Sequence, residues 1–287
     1  MTAGIRARLF EAGHCVHPGF MVRPGLGLAA REFPAMVALV EHPRHGRILF
    51  DTGYHPAFRA CTRRLPERFY ALTTPVTLAP GQTAAAQLAA IGIAANAVDH
   101  LLISHFHADH IAGLCDFPES RLYGHRDGYR VITETGRISR IRKGYLRGLL
   151  PNWAVGNVRF VSPFPLDLGD VLGLDAPVGL ATCDWFGDET LYLVELPGHA
   201  AGQLGLLVRL SDRWLFLLAD GCWLIDNLRD AADPHPLSGM VADSRRAYAQ
   251  TLAALRRCYG QAADRVLFVP THCRDTVRGL IAQEWLS

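Results

Sequence analysis

Residues 100–110 read His100-Leu101-Leu102-Ile103-Ser104-His105-Phe106-His107-Ala108-Asp109-His110. His105, His107, Asp109 and His110, all candidate metal ligands, follow directly on a short apolar run. Imidazole nitrogen and carboxylate oxygen together suit zinc. The run His100–Ser104 has the length and composition of a buried strand. Where the chain stays extended, alternation puts His105 and His107 on one side. A turn into helix then lets Asp109 and His110 point to a neighbouring position. A cluster of this kind can serve two adjacent ions, but it needs further ligands from elsewhere in the chain.

Those ligands stand at the ends of other predicted strands. Upstream, Ile48-Leu49-Phe50 runs into Asp51-Thr52-Gly53, which also reads as an ordinary turn. Downstream, His199 lies in Leu196-Pro197-Gly198-His199-Ala200-Ala201-Gly202. Asp220 ends the run Leu215–Ala219, and His272 follows Val266–Val269 through Pro270-Thr271. Any one of these taken alone reads as a hydrogen-bonded core residue. Their common position at strand ends is what joins them into a set.

The order His-x-His-x-Asp-His, then Pro-Gly-His, then a strand-terminal Asp and a late His, resembles the metallo-β-lactamase superfamily over residues 48–272. The resemblance implies an αβ/βα sandwich of two mixed sheets flanked by helices, with the metal site at one edge. It implies that His105, His107 and His199 hold one zinc and Asp109, His110 and His272 a second, with Asp220 bridging. It also implies that Asp51 orients a ligand histidine, a role metal sites commonly need. Iron or manganese are the alternative metals. Two such ions would make water reactive at neutral pH, and Asp109 could relay a proton to the leaving group.

Two stretches, Leu49–Pro56 and Ala219–Leu228, are similar to the N-acyl-homoserine lactonase branch. The expected activity is therefore opening of a lactone or other ester of a small molecule. In that branch a tyrosine three residues after the bridging Asp helps stabilise the opening lactone. This chain has Trp223 there, which offers an indole N–H but no phenol. The alternatives are a glyoxalase-II-like thioesterase and a non-hydrolytic di-iron redox protein. Di-iron members commonly carry Glu at the place of His107. A metal-binding sensor with vestigial activity is a third class.

Composition limits the other classes. With a net charge of +2 and 20% charged residues, the chain carries no basic field for nucleic acid or an anionic membrane. The seven cysteines are odd in number and form no Cys-x-x-Cys, which reads as reduced thiols. No apolar run approaches the ~18 residues of a membrane span. The expected protein is cytoplasmic and acts on a small molecule; a homodimer is compatible with the sequence. Gly25-Leu26-Gly27 looks like a degenerate dinucleotide fingerprint, but Pro24 stands where a strand should precede it.

The 287 residues are read as one domain with an insertion around 121–190. Hairpins are expected over 35–51 and around Ser211-Asp212, with further strands at 121–124 and ending at Leu191–Leu196. Helices are expected over Gln82–Ile93, within 125–150, over Val241–Tyr259 with Gly260 as its stop, and over 275–285. Residues 55–80 read as irregular. Trp153, Trp185 and Phe186, with Phe20 and Met21, are candidates for a pocket wall. The other histidines, His17 among them, read as surface or core, and Cys222 as a buried thiol beside the site.

Overall fold

The N-terminal strands are Arg6–Pro18 (β1), Ala30–His42 (β2), Gly46–Phe50 (β3) and Val76–Thr77 (β4). With His100–Leu102 (β5), Arg121–Gly124 (β6) and Arg159–Phe160 (β7) they form one sheet, ordered β4-β1-β2-β3-β5-β6-β7. Pairing is antiparallel from β4 to β3 and parallel from β3 to β7. The second sheet contains Leu166–Asp167 (β8), Ala181–Asp184 (β9), Leu191–Glu195 (β10), Leu204–Arg209 (β11), Trp214–Ala219 (β12) and Val266–Pro270 (β13). It is antiparallel except for the β12–β13 pair. This computed structural model describes residues 4–21, 25, 27–233, 235 and 242–287.

Strand alternation assigns each side chain to a layer. Ile48 and Phe50 of β3 and Met36, Ala38 and Val40 of β2 point between the sheets, where they meet Leu193, Leu206, Val208, Leu215 and Leu217. Leu49, Val37 and Leu39 point the other way, onto the helical layer that includes Leu88, Ile111 and Leu114. The outer face of the second sheet, with Leu207, Phe216 and Leu218, is covered by Leu252, Leu255 and Cys258 of the helix Arg245–Ala262. The order helix, sheet, sheet, helix is the expected sandwich. Most of these side chains have no solvent exposure, so truncating one to alanine costs about 2–5 kcal/mol.

Several elements differ from expectation. The strand β1 was not anticipated, because a β-bulge between Glu11 and His14 breaks its alternation. Residues 55–80 contain the helices Pro56–Cys61 and Glu67–Thr73. The helix expected from Gln82 is Ala84–Ala90, capped by the Thr83 side chain on the Ala86 N–H. The helix expected over Val241–Tyr259 starts at Arg245, capped by Ser244, and passes through Gly260 to Ala262. Val241 lies outside the described residues, as do Pro24, Leu26 and the Met21 side chain. The C-terminal helix is Arg274–Ile281, after which Leu286 pairs with Ala7.

Candidate metal centre

Strand ends deliver the site. Asp51 follows β3, His105 and His107 follow β5, Asp220 follows β12 and His272 follows β13. Asp109 and His110 sit in the short helix Ala108–Ile111 that begins after His107. Asp51 and Ala219 both adopt left-handed backbone conformations, at φ 62° and 47°. For residues other than glycine these are strained, and such residues cluster at functional sites. Here they turn the chain at the strand end, at Asp51 itself and just before Asp220. The Pro-Gly-His motif has a packing cause. A Cβ on Gly198 would lie 2.0 Å from the Tyr248 nitrogen, and φ is +124°, so only glycine lets this loop touch the helix Arg245–Ala262.

All seven candidate ligands converge, and all are buried. Nε2 of His105 and Nε2 of His199 lie 3.0 and 3.1 Å from Nδ1 of His107. Oδ2 of Asp220 is 3.2 Å from His199 Nε2 and 3.0 Å from His272 Nε2, while its Oδ1 is 3.4 Å from His110 Nε2. Oδ2 of Asp109 is 3.4 Å from His272 Nε2 and 3.7 Å from His110 Nε2. The donors thus fall into two groups, His105–His107–His199 and Asp109–His110–His272, and Asp220 touches both.

Neighbouring groups fix the tautomers. Nδ1 of His272 lies 2.8 Å from the Pro34 carbonyl, which can only accept, so the ring donates from Nδ1 and turns Nε2 inward. His110 donates from Nδ1 to Asp51 Oδ2 at 2.7 Å. Ser104 Oγ donates to the same Asp51 oxygen at 2.8 Å and lies 3.1 Å from His105 Nδ1. Asp51 therefore reaches His110 directly and His105 through Ser104, a residue sequence reading overlooked. The Ser104 backbone N–H also donates to Asp51 at 2.8 Å.

The electrostatics follow from burial and crowding. Desolvation, with the neighbouring imidazoles, holds His105 and His107 well below the usual imidazole pKa. Desolvation also lowers His199, partly offset by Asp220. Burial works the same way on His272, but Asp220 and Asp109 overcome it and push that ring up to about 9. Burial opposes ionisation of Asp220, yet His272, His110 and His199 pull it well below the usual carboxylate range.

The donor set fits divalent metal on its own chemistry. Imidazole nitrogens facing each other at 3.0–3.1 Å are near the ~3.3 Å edge of a tetrahedron with ~2.0 Å metal–nitrogen bonds. Among the described residues His110 Nε2 and Asp220 Oδ1 are buried with no hydrogen-bond partner, a costly state in the absence of an ion.

A cavity of about 140 Å³ opens on this cluster. Its lining includes His107, Asp109, His199, Asp220, His272 and Trp223, together with Cys15, His17, Phe33, Tyr54, Tyr70, Thr74, Lys143 and Gly144. The Trp223 indole N–H is buried without a partner among the described residues, and its ring lies 6.0 Å from that of His199. The wall expected from Trp153, Trp185, Phe186 and Phe20 is not here. Trp185 and Phe186 stack on each other and meet His100, Phe20 meets His235, and Trp153 packs into the helical layer. From the segment 125–150 the contribution is Lys143 and Gly144, with Tyr145 against the His107 ring at 4.7 Å. Cys222 is buried in the outer core and is not part of this lining; Cys15 is.

Residues 30–216 match the family model of the metallo-beta-lactamase superfamily, and the chain belongs to that superfamily. It is similar to the N-acyl homoserine lactonase AiiB of Agrobacterium fabrum, 26% identical over 237 residues covering 82% of this chain and 78% of that one. It is also similar to the metallo-hydrolase mfmC of Annulohypoxylon moriforme, 24% identical over 228 residues, 76% of this chain and 56% of that protein's length. Among solved structures, an N-acyl homoserine lactone hydrolase with N-hexanoyl-L-homoserine at its catalytic metal centre superposes with a TM-score of 0.74, covering 100% of both chains at 15% identity. At that identity the likeness speaks to fold.

Proposed function

We propose that this chain is a dinuclear metal-dependent hydrolase that opens a lactone of a small molecule, of the N-acyl-homoserine lactone kind. The observation that carries this reading is Asp220, whose carboxylate reaches His199 of one donor group and His110 and His272 of the other. His105, His107 and His199 would hold one divalent cation, and Asp109, His110 and His272 the other, with Asp220 shared. Zinc suits the nitrogen-rich set. The cation pair supplies Lewis acidity and a water acidic enough to react near pH 7.

The remaining chemistry belongs to the side chains. Asp51 and the Pro34 carbonyl lock His110 and His272 so that the ligand nitrogens face inward. Asp109 borders the cavity and is placed to carry a proton to the departing alkoxide. Trp223 offers an unsatisfied N–H to an oxygen of the opening ester. Phe33, Tyr54 and Trp223 give the cavity apolar surface, which suits an acyl chain. Similarity to AiiB, named as an N-acyl homoserine lactonase, supports the same substrate class.

The test is a hydrolysis panel of N-acyl homoserine lactones, acyl thioesters and phosphodiesters with zinc-replete protein. Lactone turnover is the expected result. Turnover of thioesters alone would replace the lactonase reading with a thioesterase.

A further inference from the structure

The bulge in β1 decides which residues face the cavity. Before it, Phe10 and Ala12 point to the helical layer, and Ala7 and Leu9 point between the sheets. Glu11 pairs with Met36 and His14 with Pro34, so β1 spends one residue more than β2 over this step. The alternation inverts, and Cys15 and His17 take the cavity side in place of His14 and Val16. Gly13 makes the bulge feasible: its φ is +80°, and a Cβ there would lie 2.9 Å from the Thr77 carbonyl. Bulges commonly re-aim side chains beside active sites.

His17 arrives at the cavity with nothing to bind. Its ring centroid lies 6.1 Å from that of Phe33, and among the described residues neither ring nitrogen has a hydrogen-bond partner. Phe33 in turn lies 6.4 Å from the His272 ring. Phe33 therefore neighbours both His17 and a histidine of the donor cluster. His17 lines the same cavity as the donors but belongs to neither donor group, so it faces the part of a bound substrate beside the reacting ester. Burial, with His272 nearby, lowers the pKa of the imidazole, and a neutral imidazole offers one donor and one acceptor.

We propose that His17 is a specificity-determining residue that hydrogen-bonds the amide of a lactone's acylamino substituent. This rests on the lactonase reading above. The experiment compares an N-acyl homoserine lactone with an α-alkyl-γ-butyrolactone of matched length that lacks the amide, in wild type, His17→Leu and His17→Gln. Metal content and melting temperature serve as controls for folding. In His17→Leu, kcat/KM for the amide-bearing lactone should fall about three- to tenfold, the worth of one neutral hydrogen bond. The alkyl lactone should be unaffected, and His17→Gln should recover much of the loss. An equal fall on both lactones, or no fall on either, overturns the assignment while leaving the lactonase standing. Wild-type protein that opens neither lactone overturns the lactonase reading and the assignment with it.

Discussion

The carboxylate of Asp51 lies 2.7 Å from Nδ1 of His110, with both side chains fully buried. Through Ser104 the same carboxylate reaches His105, so a single acid orients one imidazole in each donor group. Asp51→Ala is expected to lower metal affinity about 10- to 100-fold, with the loss felt at both positions. Ser104→Ala should weaken the His105 group selectively. Zinc titration against a chromophoric competitor reads both; unchanged affinity in Asp51→Ala would contradict the orienting role.

Gly198→Ala is expected to destabilise the fold strongly. The new Cβ would collide with Tyr248 backbone at 2.0 Å, in a conformation unfavourable for any other residue. The combined clash and strain cost about 3 kcal/mol or more. Urea unfolding measures this, and a change below about 1 kcal/mol would mean that the loop and helix are not packed as described.

Trp223→Phe removes the unpartnered indole N–H and keeps an aromatic wall. Metal content should stay the same while lactone kcat/KM falls up to about tenfold, as expected for one lost hydrogen bond. Trp223→Tyr should restore part of the rate. Loss of metal in Trp223→Phe would instead make the indole a support of the His199 ring.

Metal-free protein should be most stable near pH ~6.5, the ordinary imidazole value. His105, His107 and His199 have lowered pKa values, so the unfolded chain takes up protons that the fold refuses. Their contribution is lost as the pH falls below ~6.5. His272 has its pKa raised to about 9. Its contribution is full below ~6.5 and is lost as the pH rises toward 9. Zinc-loaded protein should lack the alkaline decline, because bound metal replaces that proton. Thermal unfolding from pH 5 to 9, with EDTA or with zinc, checks the pair of profiles; parallel profiles would contradict it.

Much of the candidate site was legible because its candidate ligands follow strands, and strand ends are marked by apolar runs. His105 and His107 after 100–102, Asp220 after β12 and His272 after β13 are cases of this. The cavity wall was less legible. Cys15 and His17 depend on a bulge that breaks the alternation sequence reading relies on. Tyr70 and Thr74 come from the stretch 55–80, whose Arg, Pro and Thr content concealed two short helices. Trp185 and Phe186 carried the aromatic signal of a pocket but stack on each other and meet His100 edge-on, since composition does not reveal which layer a ring joins. The end of the helix Arg245–Ala262 was misplaced because an exposed glycine within a packed helix costs only ~1 kcal/mol and need not stop it.

The paired cation site is tested most directly by anomalous diffraction at the zinc edge from zinc-grown crystals. Two peaks are expected, one among His105, His107 and His199 and the other among Asp109, His110 and His272, both within bonding distance of Asp220. A single peak elsewhere, or none at these seven side chains, would contradict it.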